Sequence, residues 1–500
     1  MGGTLRVGLI GDDWASARQA LFGDPARGAI LTGPFHLGRC CLLRTLMAYP
    51  GQPTSEGGTV IHPDLARDHP TISRDGLTWT FRLRPGVHYA APFDKQEIVA
   101  GDIVRGAERN LRIDPDLALV DAGNVGPFGF VRGASEFGAG TSPSISGLET
   151  PDKDTLVVRL TEPYGAFAHL VTDVAWAPLP EGAADGHDTD YPNHIASSGP
   201  YMYESPGDPA AQPLVLVRNP AWDRATDPIR GAWLDRIEIS FAGDQTRLAD
   251  AVARVKTGEL DTLGTFFGMP RSVVEQWRSD PALARRLVSA AGESLFWIPM
   301  NLAVPPFDDV AVRRAVNAVI DRAAVRDLIL AQRDERLGVE NTSGAIARHV
   351  FPDSVTAGLL TDYAPFPSLG DHGDVARARA EMATSRYDTD GDGMCDAPQC
   401  VGPILSTMDP VAGQSVADSL SLLGITATVV PWDEKTDIGM VKNRTAIQVQ
   451  TFGWVYALHG SDLAGLVQGG PNLADADGFT LNSSLVGASD EQLRSWGYAV

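Results

Sequence analysis

No stretch of the sequence approaches 18 consecutive apolar residues, so none reads as a membrane-crossing helix. Cysteine is scarce. The four are Cys40, Cys41, Cys395 and Cys400, with no CxxC and no Cys/His set at zinc spacing. Positive charge is in deficit: 41 Lys and Arg face 63 Asp and Glu, a net charge of −22. A chain of that sign repels phosphate backbones, so nucleic acid is not an expected partner. Enzyme signatures are missing too: no GxSxG elbow, no P-loop, no HExxH and no GxGxxG with its acid. The ten histidines are scattered, and 63 acids guarantee chance carboxylate pairs, so no glycosidase pair is assigned. The opening, Met1 to Val7, lacks the basic and apolar regions of a signal peptide.

What is present is ordinary globular material. Of 500 residues, 43% are hydrophobic and 21% charged, with 52 Gly and 35 Pro to furnish loops. At roughly 150 residues per domain the length suits two to four domains. Strands are expected at 4–10, 78–84, 153–160 and 233–242, the last three from alternation of apolar and polar residues. A helix is expected at 245–257, with Leu248, Val252 and Val255 on one face. The strongest helical signal runs over 308–331, where Val312, Ala315, Val316, Val319 and Ile320 form one apolar stripe behind Asp308 and Asp309. Residues 414–423 read as a further helix, stopped by Gly424 and followed by a strand from Ile425. Strands and helices interleave without a strict alternation, which points to a mixed α/β chain of several domains.

One local motif carries chemistry. Asp388, Asp390 and Asp392 stand at positions 1, 3 and 5 of a calcium-type loop, with Gly393 at 6, the Met394 carbonyl at 7 and Asp396 at 9. Position 12 is Gln399, where such loops use a bidentate Glu. The alternative is a solvated acidic turn using Asp and Gly for its geometry. Bound calcium would be structural, because no catalytic group is attached. Cys395 and Cys400 can close a short loop across its second half, worth about 2 kcal/mol. The adjacent Cys40 and Cys41 are not expected to bond to each other.

Several segments together resemble the extracellular solute-binding proteins of family 5, the peptide- and nickel-binding receptors of ABC importers. Gly3-Thr4-Leu5-Arg6-Val7 is similar to the family's opening strand. Pro63-Asp64-Leu65-Ala66, then Asp75-Gly76-Leu77-Thr78-Trp79-Thr80-Phe81-Arg82-Leu83-Arg84-Pro85-Gly86-Val87, resembles its P-x-L-A and DG-x-x-[YW]-TF-x-LR-x-G-V signature. Further matches are Ala100-Gly101-Asp102-Ile103-Val104, Glu108-Arg109, Ser198-Gly199-Pro200-Tyr201, Arg218-Asn219-Pro220-Ala221-Trp222 and Gly258-Glu259-Leu260-Asp261. The last stretch is Asn301, Pro305-Pro306-Phe307-Asp308-Asp309, Val312-Arg313 and Ile320-Asp321-Arg322. These pieces read mainly as scaffold. Gly199-Pro200 sets a turn, Asp321-Arg322 closes the long helix, and Arg313 pairs with a nearby acid.

The resemblance implies a two-lobed periplasmic-binding-protein-like clamp of the type II, large cluster C form, with an extra inserted subdomain. The first lobe is expected from 1–34, 184–264 and 480–500, the inserted subdomain from 35–183, and the second lobe from 265–479. It implies a receptor rather than an enzyme, capturing oligopeptides or a similar small solute for the membrane permease of an ABC importer. Alternatives are an oligosaccharide or metal chelate on the same fold, a secreted hydrolase, and a calcium-dependent adhesion module. The ligand-binding residues it suggests are Phe35, His36, Trp297, Asn301, Trp454, Tyr456 and Asp462. In peptide-binding members an acid in a GW-x-x-DY-x-DP stretch holds the ligand's ammonium group. Here Gly453-Trp454-Val455-Tyr456-Ala457-Leu458-His459-Gly460-Ser461-Asp462 keeps Gly-Trp, loses the first acid and the Pro, and leaves Asp462 as the anchor. Two isolated histidines, His36 and His459, do not make a metal site. The family's export implies a periplasmic or extracellular monomer whose leader, and with it a lipoprotein anchor, has been trimmed, and it favours a Cys395–Cys400 disulfide. The family also continues beyond the segment at 482–500, so part of the first lobe is expected to be missing.

Overall fold

In the computed structural model the described residues are 2–11, 38–53, 56–112, 126–185, 191–205, 210, 212–265, 271–287, 297–337, 346–349, 359–360, 362–407, 409–431, 445–449 and 484–498. The chain divides into two compact units, Met1–Val288 and Ser289–Val500.

The first unit is built from β1 (Thr4–Ile10), β2 (Thr71–Ile72), β3 (Thr78–Arg82), α1 (Ala100–Arg112), β4 (Leu148–Asp152), β5 (Thr155–Arg159), β6 (Tyr201–Tyr203), β7 (Leu214–Arg218), β8 (Arg236–Gly243), α2 (Leu248–Thr257), β9 (Thr262–Thr265) and α3 (Arg271–Ser279). One sheet has the order β9-β1-β8-β7-β6. β1 runs parallel to both β8 and β9, and β7 is antiparallel to β8. That central place explains why β1 is apolar on both faces near its end, where Val7 to Ile10 are all buried. Gly8 belongs there because a Cβ would come within 2.6 Å of the Leu260 side chain. The second sheet, β2-β3-β5-β4, is antiparallel. β3 alternates as its sequence requires, with Trp79 and Phe81 turned into the core.

The second unit contains α4 (Val310–Val319), α5 (Arg322–Leu337), α6 (Val375–Met382), β10 (Val401–Thr407), α7 (Pro410–Ser421), β11 (Thr426–Pro431), β12 (Ile447–Val449) and α8 (Asp490–Ser495). Its sheet is parallel, in the order β11-β10-β12. α4 buries the stripe seen in the sequence, with Asp309 accepting the Ala311 N–H at its start. Asp409 caps α7 in the same way through Val411 and Ala412. Gly424 ends the α7 segment with φ +79, and a Cβ there would lie 2.5 Å from the Cys395 carbonyl oxygen.

Several expectations need correction. The stripe over 308–331 is two helices, because Ile320 takes an extended ψ of 124° and Asp321 then accepts the Ala324 N–H at 2.8 Å. Asp321 therefore opens α5 rather than closing one long helix. Arg313 donates to the Phe307 carbonyl at 2.7 Å rather than to a carboxylate. In the first unit α3 follows β9, and Arg286 donates to the Val255 carbonyl at 3.1 Å. Among the described residues of the first unit one apolar cluster runs from Val7 through Trp79, Phe81 and Trp176 to Ile239. The segment 484–498 belongs to the second unit. Leu485 and Tyr498 pack with Ala303 and Val304, and the Leu302 N–H donates to the Ser484 carbonyl.

Candidate functional site

The family-like motifs converge on a buried cluster of charge that the sequence did not announce. Arg44 and Asp64 are fully buried, as is Asp227, and Arg230 is nearly so. Asp64, from the Pro63-Asp64-Leu65-Ala66 motif, accepts from Arg44 Nε at 2.8 Å and faces Arg230 Nη1 at 2.9 Å. Arg44 Nη2 donates to the Thr226 carbonyl at 2.7 Å. Asp227 accepts from the Trp222 indole at 3.0 Å and from the Arg230 N–H at 2.9 Å. Burial alone would raise the Asp227 carboxyl, but Arg230 and Arg44 outweigh it and hold the group below the usual carboxylate range. Burial likewise opposes the Arg230 charge, and Asp64 and Asp227 overcome it. Two cations and two anions thus neutralise each other out of water.

This cluster fixes the segment Gly38–Thr45. The Leu42 carbonyl accepts from the Ser198 and Gly199 N–H groups and from Ser197 Oγ. Asn219, from the Arg218-Asn219-Pro220 motif, donates to the Gly199 carbonyl at 3.0 Å. Gly199 admits no side chain, because a Cβ would lie 2.4 Å from the Cys41 carbonyl oxygen. Asp261, from the Gly258-Glu259-Leu260-Asp261 motif, accepts from the Arg6 N–H at 2.8 Å. The motifs are therefore joints between strands and loops.

Within the same segment lies a second surprise. Cys40 and Cys41 are joined in a vicinal disulfide, against the expectation that they stay apart. The segment Gly38–Leu42 forms one π-helical turn, closed by the Leu43 N–H on the Gly38 carbonyl at 2.7 Å, and the bond joins two of its neighbouring residues, whose Cα atoms are 3.7 Å apart as in any trans peptide. Cys395 and Cys400 form the other disulfide, with Cα atoms 5.8 Å apart.

Of the suggested ligand residues, Phe35, His36, Trp454, Tyr456 and Asp462 lie outside the described residues. Trp297 is half-buried. Asn301 is fully buried and its amide is committed: Nδ2 donates to the Thr445 carbonyl and to Tyr498 Oη, and Oδ1 accepts the Ala303 N–H. These bonds tie it within the second unit. No signal short of this pairing distinguishes such an Asn from an exposed one in sequence.

The acidic loop brings three of its five expected ligands together. Asp388, Asp390 and Asp392 each offer an oxygen within 4.8 Å of the others. Asp388 is buried and accepts the Gly391 and Gly393 N–H groups. The Met394 N–H donates to Asp392 at 2.8 Å. Asp396 is turned to Thr389, accepting its N–H at 2.9 Å and its hydroxyl at 2.7 Å, and these bonds hold its carboxyl low.

The fold is shared with two-lobed binding proteins. The fold matches a solved structure titled clavulanic acid biosynthesis oligopeptide binding protein 2, at TM-score 0.70 and 27% identity, covering 99% of this chain and 84% of that one. A periplasmic murein tripeptide binding protein in its unliganded open form shares the fold at TM-score 0.65 and 19% identity, covering 99% and 85%. Residues 60–466 match the family described as bacterial extracellular solute-binding proteins, family 5 Middle, and the chain belongs to that family. Among curated proteins, the periplasmic oligopeptide-binding protein OppA of Escherichia coli K12 is 25% identical over 270 residues, which is 52% of this chain and 45% of that protein. Heme-binding protein A of Haemophilus influenzae is 27% identical over 282 residues, 55% of this chain and 47% of that protein. The chain spans about half the length of the curated relatives it matches. Among the described residues no helix is long and apolar enough to cross a membrane.

Proposed function

We propose that this chain is an extracellular receptor that captures an oligopeptide or similar small solute and presents it to the permease of an ABC importer. The observation that carries the reading is the family match over residues 60–466, joined to the fold shared with an oligopeptide binding protein. Phe35, His36, Trp297, Trp454 and Tyr456 supply aromatic and polar faces, and Asp462 is the one acid of the Gly453–Asp462 stretch left to hold an ammonium group. The receptor reading involves no catalysis. It places the protein in the periplasm or outside the cell as a monomer, held at the membrane where a lipid anchor is present. Replacing Asp462 with Ala tests the site: calorimetry with short peptides gives about tenfold or more weaker binding for loss of a charge-assisted contact worth about 1.5–3 kcal/mol. An unchanged dissociation constant removes Asp462 from the site.

A second reading keeps the fold and changes the solute to an oligosaccharide or chelate. The altered Gly453–Asp462 stretch favours it, and named relatives include a haem-binding and a probable deoxycholate-binding protein. Independently of the solute, the loop bearing Asp388, Asp390 and Asp392 is proposed to hold a structural calcium ion. The convergence of their oxygens supports this. Titration of calcium into the full chain is expected to give heat with a dissociation constant of about 0.1–1 mM, the range of extracellular modules. No heat at these concentrations leaves the loop as an acidic turn.

A further inference from the structure

The two disulfides differ in a way that assigns them different chemistry. Cys395 and Cys400 are both buried, within the core of the second unit. Cys41 is buried as well, but Cys40 is exposed. The loops they close also differ. A cross-link stabilises mainly by restricting the unfolded chain, and that gain shrinks as the closed loop shortens. Between adjacent residues almost no loop exists, so the Cys40–Cys41 bond contributes little as a staple.

The segment around it is held by other means. The Arg39 carbonyl accepts from Arg230 Nε at 2.7 Å. The Leu42 carbonyl takes three donors from Ser197 to Gly199. Arg44 is anchored on Asp64 and Thr226. Opening the bond therefore leaves the two sulfurs next to each other on a backbone fixed from both sides.

We propose that Cys40–Cys41 is a thiol-exchange site, taking small thiols when oxidised and a soft, thiophilic trivalent centre when reduced. An incoming thiolate attacks Cys40 Sγ, forming a mixed disulfide and releasing the Cys41 thiolate. A second thiolate attacks the sulfur of the bound thiol, freeing Cys40 and leaving as the small-molecule disulfide. Two thiols are oxidised and one protein disulfide is reduced, a two-electron balance. The resulting dithiol condenses with an aryl arsenic(III) oxide to form two As–S bonds, releasing one water.

The test uses the full chain under native conditions. Before reduction, alkylation by N-ethylmaleimide should leave all four cysteines unmodified. Graded dithiothreitol followed by alkylation and peptide mass mapping should then label Cys40 and Cys41 at least about tenfold faster than Cys395 and Cys400, as exposure dictates. After removal of the reductant, the reduced protein should bind one equivalent of phenylarsine oxide, and the Cys40→Ser variant none. Equal or faster labelling of Cys395 and Cys400 overturns the proposal. So does labelling of Cys40 and Cys41 before any reductant is added, or a reduced protein that takes up no arsenical. The labelling rates are measured on the unaltered chain, so they decide the matter even where Cys40→Ser does not fold.

Discussion

Replacing Asp64 with Asn removes one of two anions from a cluster that also holds two buried guanidinium groups. Asp64 meets Arg44 Nε at 2.8 Å, Arg230 Nη1 at 2.9 Å and the Thr45 N–H at 3.2 Å. With Asp64 neutral, Asp227 alone must balance Arg44 and Arg230, and a net positive charge stays out of water. Breaking a buried pair from one side costs about 3–5 kcal/mol, against about 5–15 kcal/mol for the stability of a typical domain. At a slope of about 3 kcal/mol per molar urea, the midpoint of the first unit falls by about 1–2 M. Because the two units need not unfold together, the assay must report on the first alone, for example hydrogen exchange mapped to residues 38–112 as urea rises. Adding Arg230→Met to Asp64→Asn restores neutrality and should recover part of the loss. A loss under about 1 kcal/mol, or a double variant as unstable as the sum of the two singles, would refute the view that charge balance holds this junction.

Further outcomes follow from the same reasoning. Asp227 has its carboxyl held low in the folded state, so its contribution is complete above the unfolded value near about 3.9 and is lost as pH falls from there through the folded value. Thermal unfolding of the first unit should weaken below about pH 4, and Asp227→Asn should flatten that dependence. Gly393 sits at φ +86 with a would-be Cβ 2.7 Å from the Arg379 Cβ, so Gly393→Ala should cost the second unit about 1–3 kcal/mol by urea melt. Asn301→Ala removes the amide that donates to the Thr445 carbonyl and to Tyr498 Oη and should cost about 1–3 kcal/mol while solute affinity, measured by calorimetry, stays unchanged.

The parts of the fold legible in the sequence were those governed by periodicity and local chemistry. Strands such as Thr78–Arg82 alternate because one face is buried, and α4 carries its apolar stripe for the same reason. Helix starts at Asp309 and stops at Gly424 follow from side-chain geometry that any reader can infer. The break at Ile320–Asp321 was hidden because an apolar stripe does not report the ψ of one residue. The Arg44 cluster was hidden for a different reason. Its members come from positions 44, 64, 227 and 230, and only tertiary folding brings them together. Asp64 was visible as part of a motif, but not as a buried anion. The vicinal disulfide was hidden because adjacency argues against bonding, and nothing in the residues marks the π-helical turn Gly38–Leu42 that carries it. In the acidic loop the spacing of Asp388, Asp390 and Asp392 was legible, but the turn of Asp396 to Thr389 was not, because it is set by one nearby hydroxyl and N–H.

Capture of a small solute is tested by mass spectrometry of the molecules that co-purify with the folded protein and leave it on denaturation. A ladder of short peptides is expected, unmodified after long incubation with the protein. Release of only sugars or chelates would contradict the peptide reading, and conversion of the captured molecules into products would contradict the receptor itself.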